Sequence, residues 1–495
     1  MKRLLLISVL LLAFLVSGTR PVHGASYNYS PLAESVYAAE AMIVETVIDS
    51  ANLVDVSGSD VDLSFGELVD VFGYEDDIYL VDRTNGLVHV LDSEYRYLRS
   101  FGQDIDVPLR RPNGIFVTDE HVYVADTDNY RIVLFDHDDN VVSTITAPDD
   151  PTFKQDPTDA EGYDFKPLKL AVHRTGRVYV VADQIFEGIL DFNPDGTFSR
   201  YVGANTVTLS LWDAFWLNFT TAEQRAAQGF RLATTFNNLN IDEMGYLYTV
   251  SGPEEGDLVI KKLNYRGNDV LTRNGYVPQT GDIGPFVDND AITNEPSVFI
   301  DIDVNAFGNY IALDRTRGRL FTYDFEGNLL YVAGQLNSLN QNNNNQRDLF
   351  LRPEALAYHN DRVLVVDSMN RNLVVFGYTE YGALVNEATR LYHDGDYQGA
   401  KDTWEAVLRL NTNYFLAYAG IAKAELREGN YARAMEYAAL GYDDATYSSA
   451  YQPYRYERIA DVFPYLVALA FIGLFVLFYR SMKGALARAK EEDDV

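Results

Sequence analysis

Six recurrences of short alternating apolar runs, a pair of helical units offset by 34 residues, and one uncharged apolar stretch near the C-terminus predict the fold class. It is mainly β: a six-bladed β-propeller, followed by a small α-helical domain and one transmembrane helix. The clearest recurrence is Gly114 to Ile145, GIFVTDEHVYVADTDNYRIVLFDHDDNVVSTI, with three alternating runs parted by short polar turns and a fourth, weaker run behind them. Such a pattern is a four-stranded antiparallel sheet. Counterparts are centred on Asp82, Asp183, Ser251, Asp314 and Asp367, at intervals of roughly 40 to 70 residues. A lone sheet of this kind cannot bury both faces, so six in succession close into a wheel.

The elements follow in chain order. Lys2 and Arg3, the apolar run Leu4 to Val16 and the small-residue stretch ending at Ala25 predict a secretory signal peptide over 1–25. The run is too short for a helix that crosses roughly 30 Å of hydrocarbon. Residues 26–40 read as a linker, and the propeller occupies 41–380. The sixth unit supplies only three strands before helical spacing begins near Glu380. The run Ala41 to Asp49, AMIVETVID, has no partner of its own, so pairing it into the sixth blade would close the ring and remove the open edges. The largest insertion, between Asn205 and Phe236, has helical spacing and three clustered aromatics. A Gln/Asn-rich loop, LNSLNQNNNNQRD, parts the last two blades. Two helical units fill 381–448 and a juxtamembrane helix 449–461. Val462 to Tyr479, free of charge, reads as a membrane span. Arg480, Lys483, Arg488 and Lys490 behind it predict a cytoplasmic tail over 480–495 and an extracellular bulk, anchored in the cell membrane by a single pass.

Composition narrows the function classes. The net charge is −32, which argues against nucleic acid and against adsorption to anionic lipid as partners. There is no cysteine, which excludes thiolate chemistry and disulfide staples and points to a bacterial surface rather than a eukaryotic ectodomain.

The propeller units resemble NHL repeats, most clearly at Tyr123 to Asp136, YVADTDNYRIVLFD, where Asp126 is followed by Asn129 and Arg131. Asp82 with Asn85, Asp314 with Arg317 and Asp367 with Asn370 are weaker copies, and the third and fourth units depart from the pattern. The resemblance implies that these side chains tie the turn between strands, as Asx-type residues do. The helical units resemble tetratricopeptide repeats: Gly395-Asp396-Tyr397 and Ala400 recur as Gly429-Asn430-Tyr431 and Ala434, with Ala388 and Ala422 where two helices cross. Trp404 has the counterpart Ala438, and the usual terminal proline is missing from both copies. Two units fall short of the three that normally stand alone, so they need support from the propeller or from the helix Tyr451 to Asp461. The whole arrangement is similar to Gram-positive surface proteins associated with carbohydrate ABC transport systems, which implies transporter components as protein partners.

Candidate sites fall in two places. Aligning the blades on their second strands puts Glu67, Asn113, Lys169, Asn238, Asp301 and Glu354 at the channel mouth. Sugar-lactonase propellers hold a divalent cation on a comparable set, so these oxygens suit Ca²⁺, although no cofactor is required by anything in the sequence. Trp212, Phe215 and Trp216 in the large insertion suit partner contact or stacking on a glycan. His121, His173 and His359 fall near the turn between the first two strands of three blades, beyond the strand ends. No phosphate-binding glycine loop and no metalloprotease His/Glu pair is present. Without an identifiable nucleophile or base pair, binding and scaffolding are favoured over catalysis. The alternatives are a lactonase-like hydrolase or lyase with a divalent metal at the mouth, and a purely structural surface protein.

Overall fold

The computed structural model describes residues 26–154, 162–203, 235–252, 258–282, 286–288, 291–293, 295–336 and 349–493. The leader expected over 1–25 lies outside them. The chain divides into two compact units between Ala383 and Leu384.

The first unit is a six-bladed wheel. Its blades begin with the strands Leu68–Tyr74, Gly114–Val117, Pro167–Val172, Phe236–Ile241, Phe299–Val304 and Pro353–His359. These first strands neighbour one another in a closed ring around the axis, the sixth lying beside the first. Each blade then runs outward as an antiparallel meander; blade 2, for example, continues through Val122–Asp126, Arg131–Phe135 and Val141–Ile145. Blade 6 is completed from the N-terminus, as the unpartnered run predicts: Met42–Asp49 pairs with Asn372–Tyr378, from Met42 opposite Tyr378 to Asp49 opposite Asn372.

Two elements differ from expectation. Among the described residues blade 4 has three paired strands, and the stretch after the third makes a bridge between Leu263 and Asp269. There Arg273 donates to the carbonyl of Ile260 (2.9 Å) and pairs with Asp269 (2.6 Å), so a side chain covers part of the edge. Residues 26–40, expected as a linker, contain the hairpin Tyr27–Tyr29 and Ser35–Tyr37. Tyr27 and Tyr29 are buried in the apolar layer between blades 4 and 5, and the Asn28 amide donates to Leu330 O (3.0 Å) on the outer strand of blade 5.

The core is a series of layers between successive sheets. Ile78 and Leu80 pack with Leu364 and Val366 between blades 1 and 6, and Val88 and Val90 with Val122 and Val124 between blades 1 and 2. Every one of these side chains is essentially fully buried, so each blade is stabilised by both neighbours.

The turns joining first to second and third to fourth strands are built locally. Asp242 accepts from the N–H groups of Met244 (3.0 Å) and Tyr246 (2.8 Å), and Asp324 does the same for Glu326 and Asn328. The fourth residue of each turn takes the left-handed conformation, which Gly245 and Gly327 adopt without a Cβ penalty.

The second unit is all-helical. The helices are α1 (Glu380–His393), α2 (Tyr397–Leu410), α3 (Phe415–Arg427), α4 (Tyr431–Leu440) and α5 (Asp444–Asp493), and successive pairs from α2 to α5 pack together. Ala400, Ala422 and Ala434 are fully buried where helices approach, and the absence of a side chain on Gly420 admits the Trp404 indole. The juxtamembrane helix and the apolar span are one continuous helix. It starts at Asp444, and its first turns bury Thr446 and Ala450, supplying the support that two helical units need. Its apolar part has a mean hydropathy of 2.4, is unburied by protein, and is long enough to cross a membrane.

Candidate functional site

The two faces of the wheel are built differently. On one face, strands are joined by turns of two to five residues. On the other, where each blade's first strand begins, the segments 50–67, 102–113, 146–166, 203–235, 264–298 and 334–352 carry the chain between blades. The turns between second and third strands reach the same face. Five of these segments therefore begin and end around one mouth of the channel, while 264–298 follows the third strand of blade 4 and starts at the opposite face.

Four buried aspartates hold that face. Asp82, Asp126, Asp314 and Asp367 end the second strands of their blades and are fully buried. Each accepts from the incoming segment: from Gly66 N (2.6 Å), Arg110 N (2.7 Å), Val298 N (2.9 Å) and Leu351 N (2.6 Å) respectively. Asn85, Asn129 and Asn370 add side-chain bonds to the same carboxylates, so the repeated residues tie turns and inter-blade segments together.

In five blades the ladder between the first two strands slips by one residue, between Leu68 and Asp70, Pro167 and Lys169, Phe236 and Asn238, Phe299 and Asp301, and Pro353 and Ala355. A bulge of this kind re-aims the side chains that follow it. The equivalent residues just past it are Asp70, Lys169, Asn238, Asp301 and Ala355, with Gly114 at the same level of blade 2. Lys169 of blade 3 reaches past blade 2 to blade 1, placing its Nζ 2.6 Å from Asp70 Oδ1 and 3.1 Å from Val69 O. Gly114 lets the first strands of blades 2 and 3 approach closely at this level, since a Cβ there would lie 2.5 Å from Leu168 O.

Asp70 also accepts from Ile115 N (2.8 Å), while Asp301 accepts from the Asn238 amide, Ile302 N (2.8 Å) and Leu356 N (2.6 Å). One level deeper, Asp303 accepts from the Asn240 amide (2.6 Å) and Tyr358 N (2.6 Å). These bonds stitch the first strand of blade 1 to that of blade 2, and those of blades 4, 5 and 6 to one another. Burial dominates their titration. It raises Asp70 above the ordinary carboxylate range against the pull of Lys169, pushes Asp301 up to about 8 despite the same ammonium, and pushes Asp303 up to about 7.

Nearer the opening lies a second charged layer. Glu354, itself the bulge residue of blade 6, is bound by Arg352 Nε (2.8 Å), Arg315 Nη2 (3.0 Å) and Ser368 Oγ (3.1 Å). Arg83 donates to Asn113 Oδ1 (2.6 Å) and lies 3.9 Å from Glu67. Burial lowers the Arg83 pKa; Glu354 and Glu67 oppose this shift, and Arg111 and Arg352 add to it.

Of the residues expected at the mouth, Lys169, Asn238 and Asp301 share one level. Asn113 and Glu354 sit in the upper layer on bulge-equivalent positions, and Glu67 joins them beside Arg83. Asp70, three residues on from Glu67, takes the level that alignment had assigned to it. The arginines and Asp70 are the residues that spacing alone did not single out; Arg83 and Arg315 each directly follow a repeated aspartate. The histidines stay apart on the other face, His173 bonded to Thr175 (2.7 Å) and His359 to Glu75 O (2.9 Å). Among the described residues no group of three or more His, Cys, Asp or Glu is arranged to hold a metal ion, and the positive charge between Asp70 and Asp301 is the Lys169 ammonium. Trp212, Phe215 and Trp216 lie outside the described residues.

Neither a known protein family nor a curated protein matches the sequence. Among solved structures, a protein of unknown function from Bacteroides thetaiotaomicron is similar at 13% identity and TM-score 0.43, covering 70% of this chain and 78% of that one. An auxiliary nutrient binding protein from the same organism gives 13%, 0.40, 70% and 79%. Virginiamycin B lyase from Staphylococcus aureus gives 8%, 0.39, 66% and 88%. Likeness at this level concerns the fold alone, and the wheel itself rests on the strand pairings above.

Proposed function

We propose that the chain is a membrane-anchored binding and scaffold protein, exposed outside a bacterial cell and accessory to a carbohydrate transporter. It offers the channel-mouth face of an NHL-like propeller and a tetratricopeptide-like stalk to a protein or glycan partner. The observation that carries this reading is the asymmetry of the wheel. Tight self-capped turns join strands on one face, while five of the six inter-blade segments leave and re-enter the wheel at the other, beside the charged mouth. Loops on a rigid scaffold are where binding residues concentrate. The mouth's charged side chains are already bonded to one another, an arrangement suited to recognition by a fixed surface. The helical pairs add a second surface of a kind that takes partner helices or tails.

Crosslinking in native membranes followed by affinity capture tests the proposal. A permease or solute-binding protein should be recovered through the mouth face, and Trp212→Ala or Phe215→Ala should weaken its capture. Recovery that ignores both substitutions, together with calcium-dependent lactone hydrolysis by the purified chain, would replace it with the enzyme reading.

A further inference from the structure

The chain is strongly acidic, yet three guanidinium groups gather at one opening of the channel. Arg315 and Arg352 share the single carboxylate of Glu354, and each leaves close to half of its side chain exposed, at 47% and 46%. Arg83 is only 17% exposed, and its nearest carboxylate, Glu67, stands off at 3.9 Å. A guanidinium carries five N–H donors, and the bonds made to Glu354 and Asn113 use a minority of them. Three cations thus face two carboxylates, with donors left over. A planar fork of this kind matches carboxylate and phosphate oxygens, which it binds in bidentate fashion.

The level beneath does not cancel the surplus. Lys169 is paired with Asp70, and burial holds Asp301 largely protonated at neutral pH. Glu354 therefore acts as a resident anion that competes with an incoming one for two of the arginines.

We propose that the channel mouth is a receptor site for a small anionic ligand, a molecule carrying a carboxylate or phosphate group, held by Arg83, Arg315 and Arg352. This rests on the reading of the mouth face as a binding face and names its ligand class. A rigid ring opening admits a small molecule or a chain end, and guanidinium forks give orientation as well as attraction.

The test uses the full chain in detergent, titrated calorimetrically with inorganic phosphate, with glucuronate and with neutral glucose. Phosphate or glucuronate should bind, glucose should not, and added salt should weaken the binding because charge carries it. Whichever of the two anions binds identifies the source chemistry. Arg315→Gln and Arg83→Gln should each weaken binding by about tenfold, a typical loss for one charge-assisted contact. Glu354→Gln should tighten it, because two guanidiniums lose their internal partner. Since Arg315 also joins blades 5 and 6, near-ultraviolet dichroism confirms that each variant is folded, and Arg352→Gln serves if Arg315→Gln is not. Absence of binding by either anion at about 10 mM, well beyond the millimolar affinity of even a weak site, overturns the proposal. So does binding that the arginine variants and Glu354→Gln leave unchanged. If glucose alone binds, and capture through Trp212 persists, the binding-face reading survives while the anion assignment falls.

Discussion

Lys169 and Asp70 form a buried pair that spans a whole blade, and Gly114 of the blade between them lets the backbone that carries Lys169 approach closely. Breaking a buried pair on one side costs about 3–5 kcal/mol, because the remaining charge is left without a partner. Lys169→Met should cost that much in urea denaturation at pH 8, and less at pH 5, where Asp70 can take up a proton instead. A second effect concerns Asp303, which folding moves from the ordinary carboxylate range to about 7. Its stabilisation is fully present below the unfolded pKa of about 4 and is lost as pH rises through the folded one. Unfolding free energy should therefore fall between about pH 5 and pH 8, by at most about 1.4 kcal/mol per pH unit for this group and with a drop of the same sign from Asp301, and the melting temperature should fall with it. Asp303→Asn should flatten the profile; an unchanged slope would show that the carboxyl does not titrate there. Three members of the channel level were legible as polar residues at the start of a first strand. Asn113 and Glu354 fell one residue short because a bulge adds a residue without marking hydrophobic alternation, and Glu67 fell three short of Asp70.

At the scale of elements, the closing strand decides whether the wheel is a ring. Met42–Asp49 is the outer strand of blade 6 and is the only tie between the start of the propeller and its end within that sheet. A chain beginning at residue 50 should keep five blades but expose the edge of Asn372–Tyr378, an apolar strand free to pair with another chain. Such a truncation should elute as oligomers from size exclusion and bind anilinonaphthalene sulfonate, while a monomeric, dye-silent product would mean that closure is dispensable. This strand was legible because an alternating run without a neighbour demands one. The hairpin at Tyr27 was not, since two three-residue strands give no periodicity, and what holds them is the distant outer strand of blade 5. That blade 4 has three strands among the described residues was illegible for a related reason: a side chain, Arg273, bonds the edge carbonyl of Ile260 that a fourth strand would otherwise pair. In the helical unit the 34-residue echo located the helices, but α5 starts at Asp444, ahead of the 449 expected for the juxtamembrane helix.

For the whole molecule, the decisive feature is that Phe463, Leu466, Leu469, Phe471, Ile472, Leu474, Phe475, Leu477 and Phe478 all stand exposed around α5. Apolar residues on every side of a helix leave no polar face to turn to water, and hydrocarbon is the solvent that suits it. At the bilayer centre each Leu, Ile or Phe contributes about 0.3–0.6 kcal/mol of insertion free energy, whereas one arginine costs about 2.5–3.5 kcal/mol. Full-length protein should therefore stay with membranes through alkaline carbonate washing, and a chain ended at residue 461 should not. Gly473→Arg, placed within the apolar stretch, should release or destabilise a large fraction of the protein by offsetting several of those contributions at once. The basic residues from Arg480 onward give the orientation its own test. Protease added to intact cells should digest the propeller and spare an epitope fused after Val495, because a flank rich in Lys and Arg remains on the cytoplasmic side. Loss of the epitope with the propeller intact would reverse the topology, and with it the claim that the charged mouth meets its ligand outside the cell.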